Sequence, residues 1–167
     1  MILEELNNRP LEEAKQLFTL CCTSTKWVKK MMQALPFSSE QQLIDSADNA
    51  WFSLAEEDYF EAFEGHPRIG DVSSLRAKYA NTKALASGEQ SGVDIASERT
   101  IQELATDNER YFKKFGFIFI VCASGKTAAE MLTLLQQRLS NERAVEIKNA
   151  AEEQRKIFQI RLKKILS

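Results

Sequence analysis

Apolar residues recur three and four positions apart along most of this chain, the spacing that gathers them on one face of an α-helix. In "PLEEAKQLFTLCC", Leu11, Ala14, Leu17, Phe18 and Cys21 share a face, and Pro10 is well placed to start the helix. "STKWVKKMMQAL" groups Trp27, Val28, Met31 and Leu35 and stops near Pro36, because the residue before a proline is pushed out of helical geometry. Residues 39–54 repeat the pattern with Leu43, Ile44, Ala47, Ala50, Trp51 and Leu54. Residues 55–64 form another helix, closed by Gly65, a residue type that accepts the left-handed conformation after a last turn. The pattern then predicts a short helix at 73–82, a long amphipathic one at 96–115 ended by Gly116, and two more at about 126–139 and 142–165. Residues 65–72 read as a loop, and so does "ALASGEQSGVDI" at 84–95, with its two glycines and two serines.

One stretch breaks the helical period. "FGFIFIVCASG" is rich in aromatic and β-branched residues, which favour extended backbone, yet no other clear strand exists to pair with it. The expected fold is therefore all-α: a single compact domain over 1–167, with about eight helices and one short buried extended segment at about 117–122.

Composition narrows the function classes. Lys plus Arg is 22 against 24 for Asp plus Glu, so there is no basic footprint for nucleic acid. No apolar run is long enough to span a membrane, and "MILEELNNRP" lacks the basic-then-apolar order of a signal peptide. The three cysteines, Cys21, Cys22 and Cys122, show no C-x-x-C spacing, and there is one histidine, so no zinc site is expected. They read as reduced thiols of a cytoplasmic protein, acting as small buried hydrophobes.

"FIFIVCASGKTAAEML" resembles the strand, Gly-Lys-Thr, helix order of a phosphate-binding loop. That motif needs a glycine five residues before Gly125, where this chain has Ile120. Ser124 to Thr127 is better read as the cap of the next helix.

Four residues stand out as candidate chemistry. In the last helix, Ile147, Ala151, Gln154, Phe158, Arg161 and Ile165 fall on one face, so Arg161 lies within an apolar stripe. Such a charge is costly unless paired, solvated along its own stem, or aimed at an anion; its planar fork suits a carboxylate. His66, the sole histidine, is wedged between Gly65 and Pro67, which holds the imidazole on a non-helical corner. An imidazole moves protons near neutral pH. Glu89 and Gln90, in the second polar loop, could together read a planar amide or ureido group.

"CCTSTKWVKKMMQALPF", "HPRIGD", "SGEQSG", "NERYFKKFGFIFIVCA" and "IRLKKIL" occur in that order. With them the chain closely resembles, over nearly its whole length, the 2-oxo-4-hydroxy-4-carboxy-5-ureidoimidazoline (OHCU) decarboxylase family. The resemblance implies the last step from urate to (S)-allantoin, an all-helical fold, no metal or organic cofactor, and a homodimer. It implies catalytic roles for His66, Glu89 and Arg161. It further implies substrate contacts from Pro67, Gln90 and main-chain groups of Ile118, Phe119, Ile120, Val121 and Cys122. Two positions depart from the family pattern: Ile118 stands where proline is frequent, and Ala86 where a serine is frequent; Ser87, one place later, or backbone groups would then take over the serine contact. Two other readings are a non-catalytic helical interaction module and a decarboxylase of a related ureido or imidazolone acid.

Overall fold

The computed structural model describes the backbone of all residues except 68–70 and 86–89; side chains are described except at those positions and at 78, 80–85 and 90–97. The described residues form nine helices and no strand: α1 (Leu3–Asn7), α2 (Leu11–Cys21), α3 (Thr25–Ala34), α4 (Glu40–Phe52), α5 (Glu56–Glu64), α6 (Val72–Leu85), α7 (Gln90–Phe115), α8 (Ala128–Leu139) and α9 (Arg143–Ile165). They fall into two compact units, Met1–His66 with Asn149–Ser167, and Pro67–Lys148.

The first unit is built on aromatic residues that the helical period places inward. Phe18, Trp27, Met31, Leu43, Trp51, Phe63 and Phe158 are all essentially inaccessible. Phe158 of α9 lies 5.0 Å from the Trp27 ring and 5.7 Å from that of Trp51, the second pair edge to face. Buried indoles need an acceptor. Trp27 Nε1 donates to the Ala47 carbonyl at 3.0 Å, and Trp51 Nε1 to that of Ala151 at 3.1 Å, which ties α3 to α4 and α4 to α9. Ser24 and Ser39 cap α3 and α4, each hydroxyl accepting a backbone N–H of the first turn.

In the second unit, Ile101, Leu104, Tyr111 and Phe115 of α7 pack with Met131, Leu132 and Leu135 of α8 in the core. Gly116 takes a positive φ of 81°, its N–H closing on the Phe112 carbonyl at 2.8 Å, so α7 ends as expected. Thr127 caps α8 by accepting the Glu130 N–H at 3.2 Å, which is the capping role read from that stretch. The intervening 117–122 segment forms neither helix nor ladder; Phe117 and Ile120 are buried and the other four residues half-buried.

Three sequence expectations need correction. The five-residue α1, with Leu6 buried, was too short to register as a periodic segment. Residues 90–95 are not loop: α7 begins at Gln90, and Gly92 is absorbed into a long helix at a cost of about 1 kcal/mol relative to alanine. The rest of that expected loop splits, 84–85 closing α6 and 86–89 lying outside the described residues. Finally, Gly65 is not left-handed. Its φ is −71°, and it is needed for space instead: a Cβ there would lie 2.0 Å from Thr23 Oγ1.

Candidate functional site

The end of α5 is held where His66 emerges. The Gly65 N–H donates to the Ala62 carbonyl and that of His66 to Phe63, each at 3.2 Å. Thr23, in the link from α2 to α3, donates its hydroxyl to the carbonyls of Glu61 and Ala62 at 3.2 and 3.4 Å. Those carbonyls belong to the last turn of α5, where regular i to i−4 partners run out, so the threonine staples it. The missing side chain of Gly65 lets Thr23 approach this closely. Thr23 gave no signal in the sequence, because the contact joins segments that no local pattern links.

The imidazole of His66 is half-buried, and its Nε2 is hydrogen-bonded to Oε1 of Gln154 on α9. Gln154 is 1% exposed. It lies on the expected stripe of α9 but drew no functional reading, since its significance depends on the residue it faces. Burial lowers the His66 pKa from its ordinary value; the Gln154 hydrogen bond opposes this, and the Arg161 charge adds to the depression. The ring is thus held neutral at physiological pH, as a proton acceptor must be.

Arg161 belongs to the same unit, and its guanidinium is engaged with backbone. Nη1 donates to the Leu20 and Cys21 carbonyls at 3.2 and 3.3 Å. These are the last carbonyls of α2, the negative end of its dipole, so the charge that looked misplaced in the stripe serves as a C-terminal cap. It makes no ion pair with a carboxylate among the described residues. Cys21 and Cys22 nearby are buried thiols whose pKa values are pushed up to about 12 by burial, which removes them as nucleophiles.

The remaining candidates belong to the second unit or fall outside the described residues. Ser87 and Glu89 lie outside them. Gln90 is the first residue of α7, and Pro67 is exposed. Ile118 to Cys122 sit against a buried polar cluster that sequence reasoning did not find. Glu146, fully buried, accepts hydrogen bonds from Tyr111 Oη (2.6 Å), Arg138 Nε (2.7 Å) and Asn141 Nδ2 (3.0 Å). Arg138 also donates Nη1 to the Ile120 carbonyl at 2.5 Å and lies 4.6 Å over the Phe119 ring. Burial raises the Tyr111 pKa, so the phenol stays a donor. The cluster therefore anchors the segment by its backbone. Lys126 Nζ takes the Cys122 carbonyl at 2.7 Å. The carbonyls of residues 120 and 122 are thus already engaged within the protein. No group of three or more His, Cys, Asp or Glu residues able to hold a metal ion occurs among the described residues. None of the described helices is long and apolar enough to cross a membrane.

In this polar corner a half-buried imidazole meets a buried amide, and the Arg161 charge acts on the ring. A family model described as OHCU decarboxylase matches residues 7–163, and the chain belongs to that family. It is 39% identical over 158 residues to the uric acid degradation bifunctional protein TTL of Arabidopsis thaliana, covering 94% of this chain and 48% of that protein. It is 23% identical to the 2-oxo-4-hydroxy-4-carboxy-5-ureidoimidazoline decarboxylase of Halalkalicoccus jeotgali, across 99% of this chain and 92% of that one. Among solved structures, an OHCU decarboxylase crystallised in the presence of (S)-allantoin superposes with a TM-score of 0.70 at 39% identity, covering 89% of this chain and 96% of that one. The chain spans about half the length of the Arabidopsis protein and about a third of the bifunctional relatives from Bacillus.

Proposed function

We propose that this chain decarboxylates OHCU to (S)-allantoin, the last step of urate-to-allantoin conversion, with residues 1–167 acting as one catalytic domain. The observation that carries the reading is the neutral, oriented imidazole of His66 in a chain of this family. The substrate carbon that loses carbon dioxide bears a hydroxyl and neighbours a ring C=N bond. As the C–C bond to the carboxylate breaks, its electron pair moves into that imine. The substrate thus supplies its own electron sink, and the chemistry requires no cofactor for that purpose. The protein's contribution is orientation, charge stabilisation and proton delivery.

In this reading His66 accepts the hydroxyl proton as the carbonyl forms and delivers a proton to one face of the neighbouring carbon, giving a single enantiomer, while the ring nitrogen that received the electron pair takes up one proton from solvent. Arg161, beyond its capping of α2, offers its charge to the substrate carboxylate and to the enolate-like intermediate. Glu89 and Gln90 hold the ureido and ring nitrogens. Pro67, Ser87 and main-chain groups of Ile118 to Cys122 complete the binding set. We place the protein in the cytoplasm, on its cysteine pattern, and as a homodimer, on the family resemblance; light scattering of the purified chain at twice the monomer mass is the expected result for the latter.

The test uses substrate generated freshly by enzymatic oxidation of urate and hydrolysis of the product, followed by circular dichroism. Wild type is expected to give a fast chiral signal and His66→Asn only the slow racemic background. Near-wild-type turnover by His66→Asn would remove the histidine from the mechanism. Unchanged turnover and affinity in Arg161→Ala would leave that arginine a helix cap and nothing more. Absence of activity in wild type would favour an interaction module or a related substrate.

A further inference from the structure

We propose that Gln154 is the positioning residue of His66: it fixes the ring's orientation and tautomer, placing the proton on Nε2 and leaving Nδ1 as the nitrogen that exchanges protons. The inference rests on the proposed role of His66 and deepens it. Gln154 occupies a stripe whose neighbours Ala150, Ala151 and Phe158 are buried and apolar, and it is itself 1% exposed. An amide buried there costs free energy unless its polar atoms are satisfied, whereas a leucine or methionine would pack without that cost. The polar atom that repays its burial is Oε1, set against Nε2 of His66. A carbonyl oxygen only accepts, so the ring nitrogen facing it must donate. Nε2 then carries the proton of the neutral ring, and Nδ1 keeps its lone pair, with no hydrogen-bond partner among the described residues.

The choice of an amide over a carboxylate matters. A carboxylate at this place would stabilise the imidazolium and hold the ring protonated. Gln154 orients the ring without adding negative charge, and among the described residues the charge acting on the ring is that of Arg161, which disfavours the cation. Orientation is thus supplied without the negative charge that would hold the ring protonated.

His66 is the only histidine in the chain, so its imidazole nitrogens are identified in a proton–nitrogen NMR correlation without assignment by mutation. In wild type near pH 7.5 the expected pattern is a protonated Nε2 and an unprotonated Nδ1. Gln154→Met, which keeps the length and the packing, is expected to show mixed tautomers and a kcat lower by on the order of 10- to 100-fold, with KM little changed. Gln154→Glu is expected to raise the pH of the acid limb of kcat/KM by about one unit. A wild-type ring protonated on Nδ1 would overturn the inference. So would a Gln154→Met variant that keeps the tautomer, the pH profile and kcat. The spectrum is independent of turnover: an inactive wild type with the Nε2–H tautomer would sink the functional reading while the assignment of the ring stood.

Discussion

Gly65→Ala sets two effects of opposite sign against each other. At φ −71° the backbone accepts any residue, so alanine should stabilise the protein by about 0.4–1 kcal/mol through the entropy of the unfolded chain. The folded protein has no room for it. The new Cβ would meet Thr23 at 2.0 Å from Oγ1, 2.5 Å from Cγ2 and 2.7 Å from Cβ. Rotating the threonine moves the first two atoms and breaks its hydrogen bonds to Glu61 and Ala62; the third is fixed to the backbone and cannot rotate away. Overpacking of this kind costs about 1–3 kcal/mol. The midpoints leave a net loss of about 1.3 kcal/mol, or about 4 °C in Tm for a chain of this size. Urea denaturation followed by tryptophan fluorescence reads it directly, since Trp27 and Trp51 are both buried. In a Thr23→Gly background, which removes all three obstructing atoms, the same substitution should become neutral or stabilising. A Gly65→Ala variant more stable than wild type in the native background would refute the close approach, and with it the account of how the end of α5 is held.

Three further outcomes are expected. Because the folded-state pKa of His66 lies below its ordinary value, the unfolded chain takes up the proton first as pH falls. Stability should therefore decline as pH drops through about 6.5 toward the folded value, and His66→Asn should flatten that part of the urea-midpoint profile. Glu146→Gln takes the carboxylate from the buried Arg138 and should cost about 3–5 kcal/mol by denaturant titration; a loss under about 1 kcal/mol would show the cluster to be dispensable. Cys21 and Cys22, with pKa values pushed up to about 12, should resist iodoacetamide at pH 8 in the native state and react only in urea, as read by intact mass.

The all-helical class, most helix positions, the Thr127 cap and the Gly116 stop were legible in the chain because each rests on local rules: a period, a cap, a residue able to take positive φ. His66 on its corner and Arg161 in its stripe were visible for the same reason, as local anomalies in an otherwise regular pattern. Their partners were not. That Arg161 would cap α2, that Gln154 would face His66, that Gly65 is small for the sake of Thr23, and that Arg138 and Glu146 would hold the Ile120 backbone all depend on which helix faces meet. Periodicity says which face of a helix turns inward but not what it will find there. Contacts between residues far apart in the chain are set by the packing of whole faces, and only the folded structure makes that choice.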